Sequence, residues 1–180
     1  MNKNIINKLY WILWCSTTIF TGILAGFMIS HILQLGRFFT WLIESGNQDL
    51  LHQTFTIFRQ TNRIQDMSYD SFLYLSLVSG IIWIVLAFIL KKERVIAIIA
   101  GLSTFWVSLI FFGTGFDELE EAVMLGIADG TTMQSFASLN VPIHTCFAIF
   151  YVVSLLLLLV VALKKEKRLV RSANKPLSGR

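Results

Sequence analysis

The side chains of this chain best suited to chemistry near neutral pH are its three histidines. His31 lies at the end of the first long apolar segment, His52 lies in the polar segment that follows, and His144 lies near the start of the last apolar segment. Asn140 precedes His144 by four residues, so the two share a helix face, and Tyr151 continues that face. We predict His31, His144 and Asn140 as catalytic residues, with the imidazoles as acid–base groups and Asn140 orienting them.

Carboxylates in residues 114–139 extend this candidate site. The segment carries five acidic residues and neither Lys nor Arg. Glu118 and Glu121 are three positions apart, so a helix aims both of them the same way. Together with His31 and His144 they form a predicted ligand set for a transition metal. Two alternatives stay open, because no HExxH, Glu-x-x-His or His-x-x-His motif occurs: a metal-free polar pocket, or purely structural use of these side chains.

The elements that must position these residues are membrane spans. Hydrophobic residues make up 55% of the chain and charged residues only 14%, whereas soluble domains carry about 25% charged residues. Four apolar segments are long enough to cross a bilayer: residues 8–33, 72–90, 95–113 and 141–163. Lipid offers the backbone no hydrogen-bond partners, so all four must be helices. We therefore predict an all-α membrane protein: a single domain built as an antiparallel bundle of four transmembrane helices.

The distribution of Lys and Arg predicts how the bundle is threaded. The short turn between the second and third spans contains Lys91, Lys92 and Arg94, and the tail, residues 164–180, contains seven basic residues and one acid. Basic loops stay in the cytoplasm, so both termini are predicted to be cytoplasmic in a bacterial inner (plasma) membrane. The basic tail is expected to contact lipid headgroups, and no nucleic-acid partner is expected.

Both outer loops contain apolar residues at helical spacing. In the first loop these are Leu51, Phe55 and Phe58. In the second loop they are Phe116, Leu119, Val123 and Ile127. This pattern predicts amphipathic helices at the outer membrane surface. The second helix is predicted to end at Asp129-Gly130, because Gly is a common helix terminator.

Small residues predict how the helices pack, since close approach drives association in lipid. One helix face of the first span carries Thr18, Gly22, Gly26 and Ser30. The second span offers Ser76 and Gly80, and the third offers Ala97, Gly101, Thr104 and Ser108. We predict that these faces meet inside the bundle. The alternative is that the first span forms the seam of a homodimer.

The start of the last span allows two interpretations. Asn140 is a favoured N-cap residue, and Pro142 is well tolerated in a first helical turn, so the helix can begin there. If the helix instead begins near Phe136, Pro142 lies inside it at the height of His144.

Three stretches of the chain resemble one family of small membrane proteins. They are Thr21-Gly22-Ile23-Leu24-Ala25-Gly26, Phe58-Arg59-Gln60-Thr61-Asn62-Arg63 with Phe72-Leu73, and Asn140-Val141-Pro142-Ile143-His144. With the four-span layout, they are similar to the uncharacterised bacterial four-helix family that includes anthrone-oxygenase-like proteins. The resemblance implies oxidation of a small aromatic or lipophilic substrate, with Asn62, Arg63, Asn140 and His144 as the matching polar positions. The Arg that typically follows in that family is replaced here by Thr145-Cys146.

Two classes of function follow from the sequence. The first is a membrane oxidoreductase of oxygenase type, with a His/carboxylate site at the extracytoplasmic end and a small lipophilic substrate. The alternative is a non-enzymatic scaffold or accessory protein that binds a membrane protein partner through its acidic outer loop. A homo-oligomer is compatible with either class. A solute carrier is disfavoured, because the sequence shows no internal repeat and its second and third spans contain no ionisable residue.

Overall fold

The computed structural model describes residues 2–61 and 64–173, so Asn62 and Arg63 lie outside the described residues. Within these ranges the chain forms helices and no strand. The helices are α1 (Lys3–Ser30), α2 (Gly36–Glu44), α3 (Gln48–Leu51), α4 (Ile57–Thr61), α5 (Ile64–Leu90), α6 (Arg94–Gly101), α7 (Ser103–Gly113), α8 (Phe116–Leu125) and α9 (Gly130–Ala173). Two π-helical segments, His31–Leu35 and His52–Thr56, join α1 to α2 and α3 to α4.

Three helical stretches are long and apolar enough to cross a membrane: Lys3–Glu44, Met67–Leu90 and Gly130–Lys167. A fourth candidate arises if α6 and α7 count as one span, since they are bent by 43° at the break between them. The prediction of an all-helical chain with several apolar spans is confirmed at this level. The first helical stretch is longer than the predicted 8–33, because π-helical backbone carries it through His31 into α2 without a break.

The close approach predicted between the second and third spans is present. A Cβ on Gly80 would overlap the carbonyl oxygen of Gly101, so only glycine lets α5 and α6 touch there. The first span behaves differently from the prediction. A Cβ on Gly22 or Gly26 would meet nothing within 4 Å, and Gly26 is exposed. The face of α1 that packs inside the bundle is a neighbouring one, whose buried residues are Thr17, Thr21, Leu24, Ala25 and Met28.

The second loop helix ends earlier than predicted. α8 stops at Leu125, where Gly126 adopts a left-handed conformation with φ 72° and its amide bonds back to the last turn. Phe116 and Val123 are buried as the apolar stripe predicts, but Ile127 lies beyond this terminator and is exposed. The prediction that Gly130 ends the helix is wrong, because the terminating glycine comes four residues earlier.

Gly130 instead begins α9, whose first turn is closed by the preceding aspartate. The Asp129 carboxylate accepts a 2.7 Å hydrogen bond from the Thr132 amide, as an N-cap does. Asn140 therefore lies inside the helix, and the interpretation of Asn140 as a cap is wrong. The alternative of an earlier start is confirmed, with Pro142 inside α9.

The π-helical segment His52–Thr56 changes the predicted face of the first loop. Leu51 is buried and Phe55 packs against the core, but Phe58 is exposed. A π-helix bonds residue i to i+5, so it rotates the following residues away from the α-helical register. The prediction placed all three on one face because it assumed an uninterrupted α-helix.

Buried side chains form two apolar clusters at different levels of the helices. One includes Leu24, Met28 and Phe147 near the histidines, and the other includes Tyr10, Trp83 and Leu158. Buried hydroxyls also link the helices: Thr17 Oγ1 donates to Ser79 Oγ over 3.3 Å, and Thr104 Oγ1 donates to Ser76 Oγ over 3.0 Å. Apolar packing and interhelical hydrogen bonds thus fix α1, α5, α7 and α9 relative to one another.

Candidate functional site

The structure brings His31 and His144 into direct contact. Their rings are stacked, with centroids 3.8 Å apart and planes 22° apart. His144 lies on α9 and is 6% exposed, whereas His31 begins the π-helical segment after α1 and is half-buried. More than a hundred residues separate them in sequence, so the contact depends on the packing of α1 and α2 against α9.

Asn140 holds this pair through three hydrogen bonds. Its side-chain amide donates to the carbonyl oxygen of Gly36 over 3.2 Å, which turns Oδ1 towards His31 Nε2, also at 3.2 Å. The backbone carbonyl of Asn140 lies 2.8 Å from His144 Nδ1. Asn140 therefore orients both imidazoles, as the sequence predicts, but as a fully buried residue inside the helix rather than at its end.

These hydrogen bonds fix the tautomer of each neutral ring. A carbonyl oxygen only accepts, so His144 Nδ1 must carry a hydrogen, and its Nε2 keeps the lone pair. The Asn140 Oδ1 also only accepts, so His31 Nε2 must donate, and its Nδ1 keeps the lone pair. The pair thus presents two basic nitrogens, and no hydrogen bond within residues 2–61 and 64–173 uses either of them.

Local backbone geometry explains how His31 reaches this position. The Gly36 amide donates to the His31 carbonyl, which is the i+5 bond of a π-helix. A Cβ on Gly36 would lie 3.1 Å from His31 Cδ2 and 3.2 Å from its Nε2. Glycine therefore leaves room for the imidazole to lie against the backbone of the next turn. π-Helical turns of this kind are frequent at functional sites.

Aromatic side chains surround the His144 ring. Phe116 from α8 meets it edge to face at a centroid distance of 5.6 Å, and Phe147 lies 5.7 Å away. Tyr151, two turns further along α9, is fully buried. Apolar walls of this kind favour neutral imidazoles over charged ones, since burial penalises a charge.

The structure does not bring the other predicted site residues onto the pair. Glu118 and Glu121 are exposed on α8, and His52 makes neither a ring contact nor a hydrogen bond with His31 or His144. His52 packs instead against Gly126, and its buried Nδ1 has no hydrogen-bond partner in the described part of the chain.

Among the described residues, no group of three or more His, Cys, Asp or Glu side chains is placed to hold a metal ion. In stacked rings the in-plane lone pairs also lie in two separate, nearly parallel planes. One ion about 2.0–2.1 Å from both nitrogens would need the rings to turn out of the stack. Metal binding by His31, His144, Glu118 and Glu121 stays a prediction.

The arrangement is suited to proton transfer. Each imidazole has one nitrogen bound to its orienting partner and a second nitrogen with a free lone pair, so each can accept a proton without losing its hydrogen bond. Fixing the tautomer through the other ring nitrogen is how proteins orient a histidine base. A polar pair inside an apolar bundle is also costly to bury, so it is a functional suspect by default.

The sequence interpretation missed Gly36. A signal was present, because Gly36 follows His31 by five residues inside an otherwise apolar stretch. The spacing of five residues between His31 and Gly36 matches the i to i+5 hydrogen bond of a π-helix. Helical periodicity was tested only at the α-helical spacings of three and four residues, so this match was missed.

Comparisons of the chain with protein-family models, curated proteins and solved structures find no match. The site is therefore interpreted from its own geometry.

Proposed function

We propose that this protein is a multi-pass membrane enzyme that removes a proton from a small lipophilic substrate at the His31–His144 pair. The observation that carries the proposal is the stack itself, with both tautomers fixed by Asn140. His144 Nε2 or His31 Nδ1 would accept the proton, and the aromatic side chains beside His144 suit an apolar ligand. The partial exposure of His31 supports access of a substrate to the pair.

Dioxygen would be the second substrate, which makes the enzyme an oxygenase-like oxidoreductase. This part of the proposal rests on the resemblance to the anthrone-oxygenase-like family, at the matching positions Asn140 and His144. Loss of one proton from a CH₂ group to a histidine would leave a carbanion, and its carbon would bond to dioxygen. The histidine would return the proton to the terminal oxygen to give a hydroperoxide. Loss of water from the hydroperoxide would leave a carbonyl, so the substrate supplies the electrons and dioxygen accepts them. A transition metal is not required for that step.

The test is substrate-dependent oxygen uptake by the purified protein. An anthrone and other lipophilic aromatics would be offered, with mass spectrometry of the products formed under ¹⁸O₂. We expect uptake by the wild type and a loss of at least tenfold in both His31→Gln and His144→Gln, because a positioned base contributes about 10²–10⁴-fold. His52→Gln is the matched control, since it removes a histidine that does not touch the pair. Equal rates in all four proteins would contradict the proposal.

We propose a four-span threading in which α6 and α7 form the third span and both termini are cytoplasmic. Support comes from the Lys and Arg of residues 91–94 and of the end of α9, set against the acidic α8. The test replaces Cys15 and Cys146 and introduces Glu121→Cys. Labelling of intact cells by an impermeant maleimide is expected, and labelling only after lysis would contradict this threading.

The second candidate function is a scaffold that binds a basic membrane protein partner. It is favoured by the exposed carboxylates of Glu118 and Glu121, which the histidine pair does not use. Pull-down of a partner that is lost in Glu118→Gln/Glu121→Gln but kept in the histidine variants would support this candidate over the enzyme.

A further inference from the structure

We propose that the protein binds a phospholipid with an anionic phosphate headgroup where Lys92 and Lys165 flank the indole of Trp11. This lipid site lies far from the histidine pair and does not depend on the proposed enzyme. Trp11 and His31 are separated by twenty residues of α1, about 30 Å at ~1.5 Å per residue.

Two ammonium groups from different elements converge at this site. Lys165 Nζ, near the end of α9, lies 4.0 Å from the centroid of the Trp11 ring. Lys92 Nζ, in the turn before α6, lies 6.0 Å from the same centroid and 5.4 Å from that of Tyr10. Lys92 also donates to Asn7 Oδ1 over 2.6 Å, so its position is set by α1. Ammonium groups held beside one indole ring are charged donors suited to phosphate oxygens.

The surrounding charge is predominantly positive. The sequence places Lys3, Lys8, Lys91, Lys92, Arg94, Lys164, Lys165, Lys167, Arg168 and Arg171 at this end, against the acids Glu93 and Glu166. Glu93 Oε2 is bound to Lys164 Nζ at 2.7 Å, so the acid in the turn also ties that turn to the end of α9. Clusters of this kind attract anionic headgroups, each Lys adding to the affinity.

A phospholipid fits this site better than free phosphate because apolar surface adjoins the ammonium groups. Trp11 and Trp14 pack edge to face at 5.6 Å, and Trp14 Nε1 donates to the Leu158 carbonyl over 3.2 Å, which ties the aromatic group to α9. Ile12 is 59% exposed and Leu163 is 57% exposed beside it. Tryptophans at headgroup depth with apolar side chains beneath them are the arrangement found at membrane interfaces.

The test is lipid binding to the delipidated protein, measured by native mass spectrometry with phosphatidylglycerol and phosphatidylcholine of matched chains. We expect a preference for phosphatidylglycerol, and a loss of roughly tenfold in affinity in Lys92→Gln/Lys165→Gln. Lys3→Gln/Lys167→Gln removes the same charge from positions that have no contact with Trp11 and is expected to lose clearly less affinity. An equal loss in both double variants, or no preference in the wild type, would overturn the proposal.

A second measurement does not require the lysine variants to fold. Phosphatidylglycerol with brominated chains is expected to quench tryptophan fluorescence in the wild type, and less in Trp11→Phe. Trp106→Phe, on α7, is the matched control and should be quenched as strongly as the wild type. Displacement of the brominated lipid by millimolar inorganic phosphate would instead show that the site binds free anions, and would overturn the proposal that it binds a phospholipid.

Discussion

At the level of single residues, the position of the two imidazoles depends on the three hydrogen bonds of Asn140. The side chain of Asn140 is fully buried and satisfies the Gly36 carbonyl and the His31 imidazole together, while its own carbonyl satisfies His144. An amide is suited to this position, because it donates to one neighbour and accepts from the other. A carboxylate at this position would leave the Gly36 carbonyl without a donor, and a hydrocarbon side chain would leave both groups without a partner.

Asn140→Leu should therefore lower stability and release His31. The Gly36 carbonyl and His31 Nε2 would both lose a buried partner, at a cost of about 1–3 kcal/mol for each unsatisfied group. Thermal unfolding in detergent measures the loss, and NMR of ¹⁵N-histidine measures the change at His31. Asn140→Gln keeps the amide group but moves it by one methylene, so it tests whether the position of the amide matters. An unchanged melting temperature in Asn140→Leu would contradict the role of Asn140.

At the scale of the element, the site depends on how two helices begin and continue. The π-helical segment after α1 places His31 and Gly36 on the same side, while the early start of α9 at Gly130 puts Asn140 and His144 within one continuous helix. An α-helix from residue 3 to residue 44 without the π turn would rotate His31 relative to α2. The backbone of each element is thus a condition for the contact between the imidazoles.

Gly36→Ala should disturb the pair although alanine favours helix. Its Cβ would approach the His31 ring to 3.1 Å, so the ring must shift from its hydrogen bond to Asn140. Gly22→Ala, on α1, is the matched control, since its Cβ meets nothing within 4 Å. The alanine itself favours the helix by about 1 kcal/mol over glycine. The ¹⁵N shifts of His31 should change in the first variant only; equal spectra would contradict the steric argument.

The start of α9 should depend on pH through its cap. The Thr132 amide, which donates to Asp129, holds the pKa of that carboxyl below its ordinary value of 3.8. Because the folded state favours the carboxylate, the cap stabilises α9 at neutral pH and is lost as the pH falls through this lowered value. The protection of the Thr132 amide, which is its exchange rate compared with that of an unstructured amide at the same pH, should fall in acid for the wild type but not for Asp129→Asn, which caps without titrating. Identical pH profiles would contradict this.

At the scale of the whole molecule, the histidine pair and the lipid site occupy different levels of the same bundle. Threading from the Lys and Arg distribution predicts that His31 and His144 lie at one end, and the structure places them in contact. The glycine contact between α5 and α6 was also predictable, since Gly80 and Gly101 are the smallest of the small residues on the predicted faces.

The stack, the tautomers and the role of Gly36 could not be predicted from the sequence. They require α1 to continue through a π turn and α9 to begin ten residues before Asn140. The π turn runs past the end of the first predicted span, and the start of α9 lies before the last one. Hydropathy identifies the part of a helix that is surrounded by lipid, but it does not identify the residues at which the helix begins and ends. His52 was grouped with the pair by threading alone, and packing against Gly126 holds it apart.

The bundle holds His31 and His144 as a stacked pair in two different tautomers. The most direct measurement is long-range ¹H–¹⁵N NMR of ¹⁵N-histidine-labelled protein near pH 8, with His31→Gln and His144→Gln to assign the signals. The account predicts a hydrogen on Nδ1 of His144 and on Nε2 of His31, with a through-space contact between the rings. A His144 ring with its hydrogen on Nε2, or rings without mutual contact, would contradict it.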